Sequence, residues 1–148
     1  MKLIYMDNCC FNRPYDDQAS ERIKLETEAK LHIQELIRKN YLHLAWSFIL
    51  DFENDANPYI EQRYSISEWK QNASIFVPAL EEIRAHANAI HRDTGLKSKD
   101  ALHVACASFA KADFLLTTDK KMLKSNIKGI SILNPVPFVF LLSEEDSE

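Results

Sequence analysis

The stretch SKDALHVACASFAKADFLLTTDKKM, residues 98–122, contains the pattern that decides the fold. Its first half has apolar residues at helical spacing, and its second half is the short apolar run DFLLTT, residues 113–118, which predicts a strand. Asp100 lies at the start of the predicted helix, and Asp119 directly follows the predicted strand. The stretch therefore predicts a helix–strand unit that carries one carboxylate at each end.

The rest of the chain repeats this alternation of strand and helix. Residues 74–77 (SIFV) remain ambiguous, and the run FVFLL near the end is expected to pack over an edge of the sheet. Clear strands are predicted at residues 3–6, 41–46, 113–118 and 131–135. Helices are predicted at residues 20–38 and 58–70, from Pro78 to Gly95, and from a cap at Ser98. Such alternation is typical of a parallel sheet with helices on both faces.

The predicted fold class is therefore α/β, a three-layer α/β/α sandwich with a central, mostly parallel sheet of four to five strands. The chain length of 148 residues fits one domain, which we place at residues 1–142, followed by an acidic tail at 143–148 that we expect to be disordered. A hydrophobic content of 46% supports a folded core.

Composition excludes several classes of protein. Only 2 glycines are present, and no glycine-rich phosphate-binding motif occurs. No apolar run approaches the ~20 residues that a membrane span needs. The start MKLIYMDN becomes acidic too early for a signal peptide, so we expect a cytoplasmic protein with reduced thiols. The 3 cysteines lack the spacing of a zinc finger, and Cys9 and Cys10 are expected to be buried strand residues.

The net charge of −4 does not by itself indicate a nucleic-acid-binding protein. The charge is unevenly distributed, however, because residues 97–128 contain seven lysines and three acids. A locally basic surface around Asp100 and Asp119 is therefore predicted.

Acidic residues follow the predicted strands at several points. Asp7 ends the first strand, Asp119 follows the third clear strand, and Asp51 and Glu53 lie in the helix after the second. Ligands of parallel sheets bind at the carboxyl ends of the strands, and the helix that begins near Asp100 starts at that same edge. We therefore expect these carboxylates to converge.

Each acid alone has an ordinary explanation, since a helix dipole favours Asp100 and a turn accommodates Asp119. Four carboxylates together repel one another, and their desolvation is costly unless a cation compensates. A cluster without histidine or cysteine suits hard ions such as Mg²⁺ or Mn²⁺. Such sites activate water for phosphoryl chemistry, and nearby lysines would hold a phosphate backbone.

Four motifs resemble those of the PIN domain, a small metal-dependent nuclease fold, over about residues 2–134. They are IYMDN (4–8), FILDFEN (48–54), KSKDALHVACASFAKA (97–112) and LLTTDKKM (115–122). The resemblance implies that one or two Mg²⁺ or Mn²⁺ ions are bound by catalytic carboxylates, with Thr117 as a supporting hydroxyl. The implied ligands are Asp7, Glu53, Asp100 and Asp119.

The sequence departs from the family pattern at two positions. Cys9 stands where many PIN domains carry Ser, Thr or Asn, with Asn8 beside it as a supporting residue, and Lys121 stands where some carry a further acid. Glu53 and Asp51 point roughly 200° apart on a helix, so only one of them can face the site, and the resemblance favours Glu53.

Several nearby residues have two interpretations. His103 follows Asp100 by one helical turn and either contacts a phosphate or, as we favour, is a half-buried histidine. Arg13 and Asn12 either bind phosphate or form a turn, and Lys120 is a further candidate for substrate binding. Three aromatic residues either stack on bases or, as their spacing favours, pack in the core or against a partner. They are Trp46, Trp69 and Tyr64.

The first hypothesis is a Mg²⁺- or Mn²⁺-dependent ribonuclease. By resemblance, such small proteins are often toxins of toxin–antitoxin pairs, which implies an RNA substrate, a small antitoxin partner and a possible homodimer. The alternatives are a catalytically silent PIN-like module that binds RNA or protein and, more weakly, a receiver-like phosphorylation domain. The receiver reading needs an acidic pair at the first strand, where the motif DNC supplies one acid.

Overall fold

Five parallel strands form the centre of the protein, whose computed structural model describes residues 1–146. Their order across the sheet is 3-2-1-4-5, and every neighbouring pair is parallel. The strands are β1 Lys2–Met6, β2 Leu42–Ser47, β3 Ile75–Val77, β4 Phe114–Leu116 and β5 Ser131–Leu133. The α/β prediction is confirmed, and the ambiguous run at residues 74–77 supplies the edge strand β3.

Helices connect these strands and cover the sheet. Short 3₁₀ segments occupy Arg13–Tyr15 and Trp69–Asn72. Within residues 1–146, no helix is both long enough and apolar enough to cross a membrane. The α-helices are α1 Asn8–Asn12, α2 Glu21–Arg38, α3 Phe48–Asp55, α4 Ile60–Glu68, α5 Glu81–Thr94, α6 Ser98–Phe109, α7 Lys120–Lys124 and α8 Pro135–Asp146.

Strand β1 lies in the middle of the sheet, and its residues Ile4, Tyr5 and Met6 are fully buried. A strand that is covered on both faces needs such a continuous apolar run. The pairing of Met6 with Leu116 aligns the ends of β1 and β4, and the backbone N–H of Asp7 donates to the Leu116 carbonyl at 3.2 Å. The residues that follow these two strands are therefore neighbours.

Several helix boundaries differ from the predictions, and the helix predicted at residues 58–70 spans only Ile60–Glu68. Gly95 ends α5 in the left-handed conformation (φ 77°), as predicted. Helix α5 begins at Glu81 rather than at Pro78, because Leu80 is extended. The predicted cap Ser98 is already the first residue of α6, and Lys97 occupies the cap position without a side-chain hydrogen bond.

The prediction that Cys9 and Cys10 are strand residues is wrong. Asp7 keeps an extended backbone after β1 and caps α1, its side chain accepting a hydrogen bond from the Cys10 backbone. Cys10 is buried beneath this short helix, whereas Cys9 is partly exposed. Like aspartates at other helix starts, Asp7 satisfies a backbone N–H that lacks an intrahelical partner.

The predicted disordered tail is helical as far as Asp146, because α8 has apolar residues that pack on the body of the domain. Phe138 is fully buried, and its ring lies 5.1 Å from that of Phe114. Lys2 also pairs with Glu145 at 3.2 Å. Residues 147 and 148 of the tail lie outside the described residues.

Lys30 of helix α2 is an unusual buried cation. Its side chain is 5% exposed, and its amino group lies 5.6 Å from the centre of the Phe11 ring. Burial is the main cause that lowers the pKa of Lys30 from 10.5 to about 8. Keeping this amine charged therefore destabilises the folded state at neutral pH.

We expect Lys30→Met to raise the free energy of unfolding by about 2–3 kcal/mol at pH 7, since each pKa unit corresponds to about 1.4 kcal/mol. The unfolded chain keeps the Lys30 proton up to about pH 10.5, whereas the folded chain releases it near pH 8. Wild-type stability should therefore rise across this interval, and the advantage of the variant should shrink. Urea denaturation at pH 7 and pH 10 measures both effects.

Lys24→Met is the control, because Lys24 lies on the same helix but is exposed. If Lys30→Met stabilises the protein equally at pH 7 and pH 10, removal of the buried Lys30 charge is not the cause of the stabilisation.

Candidate metal centre

A cavity of about 160 Å³ opens at the carboxyl edge of the sheet. All four carboxylates that the resemblance implies as ligands line it, so the fold brings together segments that are up to about a hundred residues apart. We call this cavity the carboxylate cup. Its lining consists of Asp7, Asn8, Cys9, Glu53, Asp100, His103 and Asp119.

Asp7 lies at the base of the cup and is 3% exposed. Thr117 Oγ1 donates to Asp7 Oδ2 at 2.6 Å, and Cys9 Sγ donates to Asp7 Oδ1 at 2.8 Å. Burial is the main cause that raises the pKa of Asp7 well above its usual value. These contacts fix the orientation of a carboxylate that is costly to ionise in the metal-free protein.

Thr117 also connects Asp7 with Asp119. The backbone N–H of Asp119 donates to Thr117 Oγ1 at 3.0 Å, while the same hydroxyl donates to Asp7. Asp119 caps α7 by accepting a hydrogen bond from the Lys121 backbone at 2.8 Å. The supporting hydroxyl predicted at Thr117 thus contacts both strand-end segments.

Asp100 is half-buried in the first turn of α6. Within residues 1–146, no group donates a hydrogen bond to its carboxylate or forms an ion pair with it. Its pKa is raised by burial first and then by the negative charges of Asp119 and Glu53. Asp100 is therefore the carboxylate of the cup that lacks a hydrogen-bond donor among the described residues, and the nearby charge of Lys97 offsets only part of this effect.

Glu53 is held in the cup by a chain of buried side chains. His103, which is 2% exposed, hydrogen-bonds through Nε2 to Glu53 Oε1. His103 Nδ1 lies 2.6 Å from the Tyr5 hydroxyl, which in turn lies 2.6 Å from Ser47 Oγ. The chain runs from the end of β2 through the central strand to the cup.

The direction of these hydrogen bonds follows from the Glu53 carboxylate, which accepts, so that His103 Nε2 donates to it. Nδ1 of the same ring is then the acceptor, and the Tyr5 hydroxyl donates to it. Burial raises the pKa of Tyr5 well above its usual value, so this hydroxyl keeps its proton, and it accepts from Ser47. The imidazole acts as a buried donor that orients Glu53.

Sequence reasoning expected a half-buried His103 but missed its contact with Glu53. Tyr5 was not singled out, and no role in the site was expected for Ser47. The available signal was weak: a hydroxyl in a buried apolar strand must find a partner, but the sequence does not say which.

The choice between Asp51 and Glu53 is decided by packing. Asp51 accepts a hydrogen bond from Trp46 Nε1 at 2.8 Å and pairs with Lys70 at 2.9 Å. It therefore points away from the cup, which Glu53 lines.

Two predicted substrate-binding residues lie outside the cup. Arg13 is paired with Glu26 and Asp16, at 2.8 and 2.9 Å. Lys120 is exposed beside Asp119 but does not line the cavity.

The aromatic residues divide between core and surface. Trp46 and Trp69 are buried, as packing residues are expected to be, whereas Tyr64 is exposed.

The residues of the cup fit a hard cation. Carboxylates supply the preferred oxygen ligands, and the Asn8 Oδ1 atom is buried without a hydrogen-bond partner. The cavity also has room for an ion with several water molecules. A cation would relieve the repulsion that raises the pKa of Asp100.

A second group of ligand atoms overlaps this site. The side chains of Asp7, Cys9 and Cys10 have ligand atoms within 4.8 Å of one another. Cys10 Sγ, however, is fully buried and donates to the Leu116 carbonyl at 3.3 Å, and burial raises its pKa well above the usual value. Cys10 therefore remains a thiol, and the carboxylates of the cup are the more suitable donors.

We expect Asp100→Asn to stabilise the metal-free protein at pH 7, because it removes an uncompensated charge. The raised pKa means that the folded chain holds this proton to higher pH than the unfolded chain, so wild-type stability falls as pH rises through that interval. A melting-temperature increase of about 2–4 °C corresponds to about 1 kcal/mol in a domain of this size. Thermal denaturation in a chelator at pH 7 and pH 4 measures the effect, which should be much smaller at pH 4.

Asp93→Asn, at an exposed position, is the control. A variant Asp100→Asn that melts below the wild type at pH 7 would contradict the assignment of Asp100 as a repelled carboxylate.

We expect Tyr5→Phe to loosen Glu53 by removing the donor to His103. The free energy of unfolding should fall by about 1–2 kcal/mol, because His103 Nδ1 and Ser47 Oγ lose a buried partner. Affinity for Mn²⁺ should fall about tenfold, the lower end of the loss seen when outer partners of metal ligands are removed. Calorimetric titration measures the affinity for Mn²⁺, and Tyr41→Phe, at an exposed position, is the control. Unchanged Mn²⁺ affinity in Tyr5→Phe would exclude a positioning role for the hydrogen-bonded chain from Ser47 to Glu53.

Comparison with known proteins agrees with the fold. No curated protein matches the sequence. Among solved structures, the fold is similar to the crystal structure of VapBC2 from Rickettsia felis bound to a DNA fragment from their promoter, with 15% identity and a TM-score of 0.58. The similarity covers 89% of this chain and 98% of that chain. The family model described as "PIN domain" matches residues 4–127, and the chain therefore belongs to the PIN domain family.

Proposed function

We propose that the protein is a divalent-metal-dependent nuclease that hydrolyses RNA phosphodiester bonds. The observation that carries the proposal is the convergence of four carboxylates, from four separate segments, on one small cavity in a chain of the PIN domain family. Members of this family are generally metal-dependent nucleases.

The residues that would hold Mg²⁺ or Mn²⁺ are Asp7, Glu53, Asp100 and Asp119. A bound ion of this kind supplies an activated water molecule and stabilises developing negative charge on the leaving oxygen. The chain contributes the fixed geometry: Thr117 orients Asp7, and His103 orients Glu53. Asp100 contributes charge, because it lacks the hydrogen bonds that hold the other ligands.

Positive charge for the RNA backbone is available beside the cup. Lys97 and Lys99 flank Asp100, Lys120 follows Asp119, and all three are exposed. Lysines at such positions attract phosphates without reading the base sequence. RNA as the substrate, rather than DNA, follows from the resemblance to the PIN ribonucleases.

We further propose that the protein is the toxin of a toxin–antitoxin pair. The support is the similarity in fold to the VapBC2 complex over nearly all of that chain. A small antitoxin would then be a partner, and a homodimer is consistent with this proposal.

A silent binding module is the second candidate function. Lys121 occupies the position where some relatives carry a further acid, and its amino group donates to the Gly95 carbonyl at 2.9 Å. A weakened second ion site is one consequence. This candidate requires RNA or protein binding that does not depend on a divalent metal.

Calorimetric titration with Mn²⁺, followed by cleavage of a single-stranded RNA, tests the nuclease. Wild-type protein should bind the ion and cleave, and Asp100→Asn should lose at least about a hundredfold in cleavage, as when charged groups that stabilise a transition state are removed. Asp55→Asn is the matched control, since Asp55 is exposed on the helix that carries Glu53.

Saturable Mn²⁺ binding with metal-dependent cleavage that only Asp100→Asn abolishes would support the nuclease. Absence of Mn²⁺ binding in the wild type at millimolar metal and neutral pH would favour the silent module instead. Equal cleavage by Asp100→Asn and wild type would show that the cup is not the site.

A further inference from the structure

A second cavity, of about 490 Å³, opens directly beside the carboxylate cup. It shares two lining residues with the cup, Asn8 and Glu53. One wall comes from residues 8–16 and the other from residues 53–62. We call this cavity the side groove; its volume is within the range of small-ligand sites.

The two walls of the side groove are joined by their amide side chains. Asn57 Nδ2 donates to Asn12 Oδ1 at 3.4 Å across the groove. Asn57 Oδ1 accepts from the Tyr59 backbone at 3.0 Å, which fixes the start of α4. Tyr59 and Tyr15 line the groove from opposite walls, with 65% and 44% of their surface exposed.

The lining of the side groove is acidic rather than basic. It includes the carboxylates of Asp16 and Glu53, and no lysine or arginine is among the described residues that line it. Arg13, which follows Asn12 in sequence, is occupied by Glu26 and Asp16. The exposed lysines Lys97 and Lys99 lie instead beside Asp100. The groove thus offers amides and aromatic rings, which suit a nucleobase, and no cation for a phosphate.

Asn8 gives a further indication of a ligand, one that the groove shares with the cup. Its Oδ1 atom is buried without a hydrogen-bond partner, and the residue lines both the groove and the cup. Buried polar atoms in folded proteins are nearly always paired. An N–H or O–H group of a molecule that extends from the cup into the groove would satisfy this acceptor.

We propose that the side groove binds one unpaired nucleotide of the RNA, next to the phosphodiester in the cup. The base stacks on Tyr59, and its edge is contacted by the amides of Asn8, Asn12 and Gln62. Recognition of splayed single-stranded bases by aromatic and amide groups is the usual mode of sequence-specific RNA binding. This inference rests on the proposed nuclease function and adds that cleavage prefers particular bases on one side of the cut bond.

Two measurements test this inference. A random single-stranded RNA pool is incubated with the protein and Mn²⁺, and the cleavage products are sequenced. The affinity for single-stranded RNA is measured by fluorescence anisotropy without metal. Tyr59→Ala should bind RNA about 5- to 100-fold more weakly, the loss that removal of one stacked base produces, and its base preference beside the cut should flatten. Tyr59→Phe should retain both properties because the ring remains. Mn²⁺ affinity should be unchanged in both variants.

Tyr64→Ala is the matched control, because Tyr64 lies in the helix that begins after Tyr59, is 67% exposed and is outside the groove. Cleavage by wild type without any base preference, or Tyr59→Ala behaving as wild type, would overturn the inference and leave the nuclease proposal intact. Equal losses in Tyr59→Ala and Tyr64→Ala would also overturn it. A wild type that neither cleaves nor binds RNA would overturn the nuclease proposal and this inference together.

Discussion

Asp7 is a carboxylate buried at the end of the central strand, and the surrounding residues compensate for its removal from water. An ionised group in such a place is costly unless donors surround it. The Thr117 hydroxyl and the Cys10 backbone N–H provide such donors, and the same contacts attach β4 and α1 to the end of β1. The hydrogen bonds that make Asp7 tolerable thus also determine where the cup lies.

The other carboxylates of the cup differ in whether hydrogen bonds hold them in place. Glu53 is oriented by a buried chain through His103 and Tyr5, so its position is determined before any ligand arrives. Asp100 has no such partner and lies near two other negative charges. A protein selected only for stability would neutralise that position, because like charges raise the free energy of the folded state. Retained repulsion at one edge of an otherwise well-packed sheet is what a cation-binding site requires.

The sequence predicted the sheet and the location of the carboxylates because both depend on local patterns. Apolar runs mark buried strands, and parallel topology brings the residues that follow them to one edge, so Asp7 and Asp119 could be placed without coordinates. Contacts between distant segments could not be predicted in this way. His103 is separated by 98 residues from Tyr5 and by 50 from Glu53, and the choice of Glu53 over Asp51 depends on a hydrogen bond from Trp46. The helical state of Cys9 was missed because Asp7 acts both as a strand end and as a helix cap.

The lysines near the cup and the groups suited to contact a nucleobase lie in different places. Exposed lysines lie beside Asp100, whereas amides and tyrosines line the side groove beyond Asn8. With a net charge of −4, the protein as a whole repels nucleic acid, so attraction to an RNA backbone would depend on these local lysines. A binding free energy that depends on few phosphate contacts varies weakly with salt. In the proposed nuclease, the remaining affinity would come from stacking and hydrogen bonds in the groove, and those contacts differ between bases. Binding RNA and choosing among RNA sequences would then depend partly on the same residues.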